Sequence, residues 1–415
     1  MNNIIRITCD PEFAKECSTK IDHAIIEEEW VQLTTKYKQT THIAKELLPK
    51  GPGIIMNSGG STQISHQCLL PVSHLNQSAF ATKRWLETQE INPAKCFIFH
   101  TLPIHHVSGL MSWWRSRCWG SQQMFIKPSI MKNPQELIDA CNPFLKNREL
   151  SKITSLVPTQ LNRLLQCPAG ITWLQSFNLI WIGGAPISKN LIHNSRNLGI
   201  RLSPCYGASE TTAMVTAQRP DDFLAGQTNL GRPLIDVELR IGENKRLQIK
   251  TPRLVHSFLQ EGKIAKITLN NGWWDSGDFA ELINYKGNNH LRIIGRVDTA
   301  IHSGGETIFP EVLKHRLLDA CKKNNLPIKE LLFIPVQDAE WGERLVSLVR
   351  LQENIDKKLL ENIFNKLEQL VGEWTPCERP MNWYICPELK TNECGKWEIL
   401  KWKSWVESKK KKKQC

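Results

Sequence analysis

No run of apolar residues in this 415-residue chain approaches the length needed to cross a bilayer, so membrane-spanning helices are not expected. The first residues, Met1 to Arg6, give way to polar Thr8, Asp10 and Glu12. They lack the apolar core of a secretory signal, and the expected location is the cytoplasm. The thirteen cysteines contain no C-x-x-C pair and are scattered from Cys9 to Cys415. That spacing argues against a disulfide framework and against zinc, and favours reduced, mostly buried thiols. No internal repeat is present, and no basic-aromatic motif of the kind used to grip single-stranded nucleic acid.

The net charge of +12 therefore needs another explanation. Five of the positive charges form one run, Lys409 to Lys413, and residues 409–415 are expected to be a disordered basic tail. The remaining excess suits small anionic substrates drawn in by a positive field. At 41% hydrophobic and 23% charged residues, the composition is that of an ordinary globular protein, long enough for a substantial core.

Short apolar runs alternate with amphipathic stretches. Ile54 to Met56, Phe97 to His100 and Leu179 to Ile182 read as buried strands, and the segments between them read as helices. Residues 1–50 show only short helical patterns, such as Glu27 to Lys36. Pro158-Thr159 opens a helix with Thr159 placed to cap it. This alternation predicts layered α/β sheets, with ligands bound beyond the carboxyl ends of parallel strands. From 236 to 295 the pattern changes to short strands with Gly, Asn or Asp turns, which suggests a small barrel-like subdomain. Beyond 298 the pattern is α+β.

Several stretches carry chemistry. Asn57-Ser58-Gly59-Gly60-Ser61-Thr62 follows a strand, and such a loop lets backbone N–H groups wrap phosphate. No lysine or arginine closes it: Ile64-Ser65-His66-Gln67 follows. Gly183-Gly184-Ala185 forms a turn after another strand. Pro204-Cys205-Tyr206-Gly207-Ala208-Ser209-Glu210-Thr211 joins an aromatic face to a carboxylate. Trp274-Asp275-Ser276-Gly277-Asp278 and Gly295-Arg296-Val297-Asp298 add a second carboxylate and an arginine. Ser303-Gly304-Gly305-Glu306 lies just beyond. An aromatic face suits adenine, a carboxylate suits Mg²⁺ or a ribose diol, and an arginine suits phosphate.

In this order and spacing the motifs resemble the adenylate-forming superfamily of acyl-CoA ligases, luciferases and peptide-synthetase adenylation domains, over roughly residues 52–400. The resemblance implies ATP, Mg²⁺ and CoA as cofactors or co-substrates. It implies a large α/β N-terminal domain with a β-barrel-like subdomain (1–298) and a small mobile α+β C-terminal lid (299–408). By the same resemblance Ser58, Gly59, Gly60, Ser61 and Thr62 would cradle phosphates. Gly183, Gly184 and Ala185 would flank adenine and the acyl pocket, with Tyr206 and Gly207 against the base. Glu210 would hold the metal, Asp278 the ribose hydroxyls and Arg296 the ribose or phosphates. Thr211 would lie near the α-phosphate, His106 beside the acyl group, and Lys396 between carboxylate and α-phosphate. Asp298 matches the hinge, and Gly304 and Gly305 the path of a pantetheine arm.

Within the superfamily, Leu102 to Leu110, Ser155 to Leu161 and Ile182 to Ile187 are similar to the 2-succinylbenzoate–CoA ligase family of menaquinone and phylloquinone biosynthesis, in its cyanobacterial or plastid form. That substrate has a second carboxylate, for which Arg115, Arg117 and Arg163 are the available cations. Two alternatives stay open: a ligase for another aryl or medium-chain acid, and a catalytically impaired nucleotide-binding relative. Assembly as a homo-oligomer is also left open by the sequence.

Overall fold

The computed structural model describes residues 4–35, 48–58, 66–260, 263–297, 299–352, 357–391 and 397–414. The chain divides into two units. The first holds residues 1–276 and 280–293, and the second holds 277–279 and 294–415. The division passes through the strands Trp274–Tyr285 and Asn288–Arg296, whereas the resemblance implies a boundary after 298.

Two large sheets build the first unit. The six-stranded sheet runs in the order Ile4–Thr8, Trp30–Thr34, Gly53–Asn57, Gln67–Pro71, Ser257–Gln260, Lys263–Lys266. Its first three strands are parallel and the next three antiparallel. The seven-stranded sheet runs Arg232–Pro233, Ala213–Ala217, Leu202–Ala208, Leu179–Ile182, Ser151–Leu156, Cys96–His100, Gln122–Phe125. From Leu202–Ala208 outward its strands are all parallel, and the central ones, Leu179–Ile182, Ser151–Leu156 and Cys96–His100, are buried almost throughout. That is why Leu179–Ile182 reads as an unbroken apolar run, each residue of it buried.

The helices Val72–Glu87 and Val107–Trp119 carry Leu75, Ala79, Leu110, Met111, Trp113 and Trp114 into these layers. The third sheet holds the short strands expected between 236 and 295. It is four-stranded, in the order Glu238–Ile241, Arg246–Lys250, Trp274–Tyr285, Asn288–Arg296.

Two local expectations are corrected. Within Glu27 to Lys36, read as helical, residues Trp30–Thr34 form a fully buried strand between two parallel neighbours. Tertiary pairing overrides a helical pattern there, and the helix lies earlier, at Ala14–Ile26. Thr159 is not the cap of its helix. Val157 occupies the cap position, and its backbone N–H donates to Gln160 Oε1 at 3.1 Å.

The second unit carries its own sheet. Glu306–Ile308, Ile301–Ser303, Gly342–Leu351 and Ile328–Asp338 follow one another in it, and Asn382–Ile385 pairs in parallel with Gly342–Leu351. The helices Pro310–Lys323 and Lys357–Val371 belong to the same unit. Its last helix runs from Ile399 to Gln414. The lysine run is therefore helical where a disordered tail was expected. Trp402 and Val406 anchor that helix in an apolar cluster with Leu332, Ile334 and Leu348, and this ordered turn propagates helix into Lys409 to Lys413. No helix among the described residues is long and apolar enough to cross a membrane. Every cysteine among them is a free thiol.

Candidate active site

The parallel strands of the seven-stranded sheet end at the turns the sequence singles out. Leu179–Ile182 delivers Gly183, Gly184 and Ala185. Gly183 rests on the neighbouring strand: a Cβ there would come within 3.0 Å of Cys205 Sγ and 3.1 Å of its carbonyl. Gly184 has φ +82° and is exposed, as is Ala185. Leu202–Ala208 then brings up Tyr206 and Gly207, both on the rim of the sheet. Gly207 is required by close approach, because a Cβ would lie 2.2 Å from the Ala213 carbonyl of the antiparallel partner strand.

Glu210 and Thr211 occupy the tight connection between those two strands. The next residues, Thr212 (φ 50°) and Ala213 (φ 77°), both lie in the left-handed region without being glycine. Strain of this kind persists only where its surroundings over-determine it. Arg253 supplies the constraint. Its guanidinium is fully buried and donates to the carbonyls of Thr211 at 2.6 Å and Met214 at 2.9 Å, while Nε donates to Asp236 at 2.8 Å. Thr212 Oγ1 donates to the Arg253 carbonyl, and Ser78 Oγ to that of Thr212. The Glu210 carbonyl accepts from Val255 N–H at 2.8 Å. Thr211 itself is fully buried, and its hydroxyl bonds the backbone of Ala208 and Ala213. The resemblance put Thr211 near a phosphate; the contacts it makes are those of a residue that shapes the loop.

Of the glycine-rich stretch that follows the strand Gly53–Asn57 in the sequence, Gly59, Gly60, Ser61 and Thr62 lie outside the described residues. Its two ends are described. Ser58 N–H donates to the His66 carbonyl at 2.9 Å, closing the loop at its base. Beneath it Gln67 bridges Gln32 and Asn57 across adjacent strands. His66 Nε2 lies 2.8 Å from Glu210 Oε1, both side chains being partly buried. Where the loop lacks a lysine, a histidine thus reaches the carboxylate assigned to the metal. Sequence reasoning missed this contact because 144 residues separate the pair. A partly buried carboxylate is the donor type that suits Mg²⁺, which is commonly held by one or two carboxylates plus substrate phosphates.

His106 caps the helix Val107–Trp119 and is exposed, its ring 4.4 Å from that of His105. Two turns further along this helix Arg115 is buried, its Cζ 5.1 Å from the Trp181 ring centroid. Its Nε and Nη2 have no hydrogen-bond partner among the described residues. Burial lowers its pKa to about 10, with Cys205 acting in the opposite sense, and at neutral pH the group remains a cation. Trp181 and Cys205 place it under the Gly183 turn. Of the other two arginines, Arg117 pairs with Asp22 and Arg163 is exposed.

A family model described as AMP-binding enzyme matches residues 8–254. The chain belongs to the AMP-binding enzyme family. Among curated members of that family, it is 30% identical over 295 residues to the 2-succinylbenzoate–CoA ligase of Salmonella typhimurium, covering 70% of this chain and 56% of that protein. It is 28% identical over 309 residues to the Escherichia coli enzyme of the same name, covering 74% and 59%. The match thus spans somewhat more than half the length of these relatives. Among solved structures, o-succinylbenzoate coenzyme A synthetase from Bacillus subtilis in complex with AMP superposes with a TM-score of 0.72 at 17% identity, covering 96% of this chain and 87% of that one. The E. coli protein with a bound analogue gives a TM-score of 0.63 at 21% identity, covering 98% and 88%. These AMP-binding folds share the layered α/β architecture expected from sequence.

The other motif residues fall in the second unit. Asp278 is buried and Arg296 exposed. Gly304 and Gly305, with φ +57° and +85°, form the two-residue turn joining Ile301–Ser303 to its antiparallel partner Glu306–Ile308. Gly304 packs under Trp341, whereas Gly305 faces open space. Asp298 and Lys396 lie outside the described residues.

Proposed function

We propose that this chain is an AMP-forming acid–CoA ligase that converts 2-succinylbenzoate, ATP and CoA into 2-succinylbenzoyl-CoA, AMP and diphosphate. The succinyl carboxylate oxygen attacks the α-phosphorus and diphosphate leaves. The CoA sulfur then attacks the acyl carbon and AMP leaves. Much of the catalysis in such chemistry is positioning and charge stabilisation.

The observation that carries the substrate reading is Arg115. A buried guanidinium with unpartnered nitrogens beside the Gly183 turn calls for an anion. A mono-acid has none to spare once its one carboxylate reacts. An acid with a second carboxylate, such as the substrate named for the relatives, has one. Arg115 is accordingly assigned to the aromatic carboxylate, with His106 toward the acyl chain. Gly183, Gly184, Ala185, Tyr206 and Gly207 form the adenine wall, and Thr211 holds the shape of the Glu210 turn. Glu210 would hold Mg²⁺, which neutralises phosphate charge. Asp278 and Arg296 are assigned to ribose and phosphate, Lys396 to adenylation, Asp298 to the hinge, and Gly305 to the thiol path. Ser58 to Thr62 form the phosphate loop. The reading places the enzyme in the cytoplasm, on the way to menaquinone or phylloquinone.

The test is diphosphate release from ATP across a panel of acids, with and without CoA, for the wild type and Arg115→Met. CoA-dependent turnover confined to 2-succinylbenzoate, with KM for that acid raised roughly 30-fold or more in the variant, is expected for loss of a buried charge-assisted contact. Turnover with mono-acids that is indifferent to Arg115 would discard the substrate assignment.

A further inference from the structure

A groove of about 430 Å³ lies on the first unit, between the end of the helix Val72–Glu87, the strand Arg232–Pro233 and the start of the strand Asn288–Arg296. None of its lining residues belongs to the nucleotide and acid site described above. Trp85, Pro233 and Ile235 give it an apolar wall, Trp85 half-buried and Ile235 70% exposed. Arg84 and Arg232 line it as well, and no carboxylate does. Arg84 is paired with Glu87 at 2.7 Å, so much of its charge is already met. Arg232 forms no ion pair among the described residues, and after burial it is the next cause lowering the pKa of His290, as an uncompensated cation does.

The groove thus offers one flat aromatic face and little more than one positive charge. A nucleic-acid strand or a polyphosphate calls for several cations, and a protein partner for a far broader face. Its volume is that of small-molecule sites, about 300–1,000 Å³. A single carboxylate on an aromatic ring meets both features, with the ring on Trp85 and the carboxylate on Arg232. Away from the groove, the Trp85 ring lies 6.2 Å from that of Trp181, which carries Arg115. Leu234 and Val237, also in the groove wall, belong to the same apolar cluster as Trp181, and Cys205 and Tyr206 pack against it. The groove and the Gly183 turn therefore share one packed layer.

We propose that this groove is an effector site for a small aromatic carboxylate, whose binding against Trp85 and Arg232 changes the affinity for the acid substrate through Trp181 and Arg115. Close-packed rings around a buried guanidinium do not yield locally, so a contact on one side of the layer is felt on the other. Coupling of this kind is reciprocal: the acid changes the effector's affinity by the same factor. The effect on the acid rests on the assignment of Arg115 to its second carboxylate; binding in the groove does not.

The experiment measures binding of 1-naphthoate to the full-length protein by equilibrium dialysis, with 1-naphthamide as its uncharged match. The wild type should bind the carboxylate and not the amide. Arg232→Gln should bind it about tenfold more weakly, for loss of a charge-assisted contact. Ile235→Asp, which sets a negative charge on the exposed wall, should weaken it as much. Both positions are exposed, so both variants should melt with the wild type. Arg115→Met should keep the binding. The site is overturned if the Arg232 and Ile235 variants bind as the wild type does, or if the amide binds equally. It is overturned too if Arg115→Met alone abolishes binding, which would put the ligand in the acid pocket. In turnover, saturating 1-naphthoate should change the KM for 2-succinylbenzoate about fivefold in the wild type and leave it unchanged in Arg232→Gln. Binding without that change overturns the effector role, and so does a change that persists in Arg232→Gln, which is competition in the acid pocket. No turnover with any acid removes the function proposed above, and the dialysis then decides the groove by itself.

Discussion

Replacing Arg253 by Met tests whether the strained turn after Glu210 is held from below. The guanidinium is fully buried, and its ion pair with Asp236 is 2.8 Å long, with Asp236 itself only 12% exposed. It also satisfies the carbonyls of Thr211 and Met214. Methionine fills much of the volume and makes none of these bonds. Removing one partner of a buried pair costs about 3–5 kcal/mol, chiefly because the other charge is stranded. The lost bonds to two carbonyls belong to the same disruption and are not added to it. Hydrogen exchange over residues 204–217 is the assay. Opening of this segment should become roughly two to four powers of ten more frequent, since each 1.4 kcal/mol is tenfold. Because Asp236 is the stranded charge, Arg253→Met combined with Asp236→Asn should recover part of the loss. An Arg253→Met cost below about 1 kcal/mol, or a double variant as poor as the sum of the singles, would refute the account.

Three further outcomes are expected. Gly207→Ala puts a Cβ 2.2 Å from a backbone carbonyl, so strand pairing beside Glu210 must open; thermal unfolding should drop by several degrees, for a cost of roughly 1–3 kcal/mol. His100 is fully enclosed between Ser112 and Gln123, and burial lowers its pKa to about 4. The unfolded state, with an imidazole pKa near 6.5, therefore takes up the proton first as pH falls. Stability is full above about pH 6.5 and is lost between there and pH 4, by up to roughly 3 kcal/mol. Urea midpoints across that range should flatten in His100→Gln, and an unchanged slope would show that other groups carry it. Lys396→Ala should abolish adenylate formation while thiolation of supplied acyl-adenylate continues; equal loss of both steps would remove its assignment to the first half-reaction.

The legible parts of this chain are those in which local pattern and tertiary setting agree. Leu179–Ile182, Arg246–Lys250 and Asn382–Ile385 are strands within the limits their composition suggests, because apolar or alternating runs bounded by turn residues leave few other options. Trp30–Thr34 reads as helical in isolation because its burial on both faces comes from neighbours not visible locally. The nucleotide-type motifs were legible as residue types. What holds them was not. Arg253 reaches Asp236 and Thr211, 17 and 42 residues away, and nothing in Thr251-Pro252-Arg253 announces it. For the second carboxylate, composition offered three arginines equally. Burial, pairing with Asp22 and exposure separate Arg115 from Arg117 and Arg163. The histidine closing the glycine loop was visible as the absence of a lysine, and that signal could have directed attention to its partner.

The left-handed Thr212 and Ala213 carry an evolutionary implication. Glycine at 213 would relax the backbone, and the gain, about 1 kcal/mol, is within reach of a single mutation; at 212 it would also forfeit the buried hydroxyl bond to the Arg253 carbonyl. A lineage selected only for heat tolerance would be expected to take it. Once glycine stands there, the same freedom lets the turn visit other shapes, and the carboxylate beside it loses its fixed aim. Side chains with a Cβ at these two positions are thus the opposite of a defect: they narrow the conformations open to Glu210. A laboratory selection run on thermostability alone should find glycine at 213 early, and the winners should be the poorer ligases.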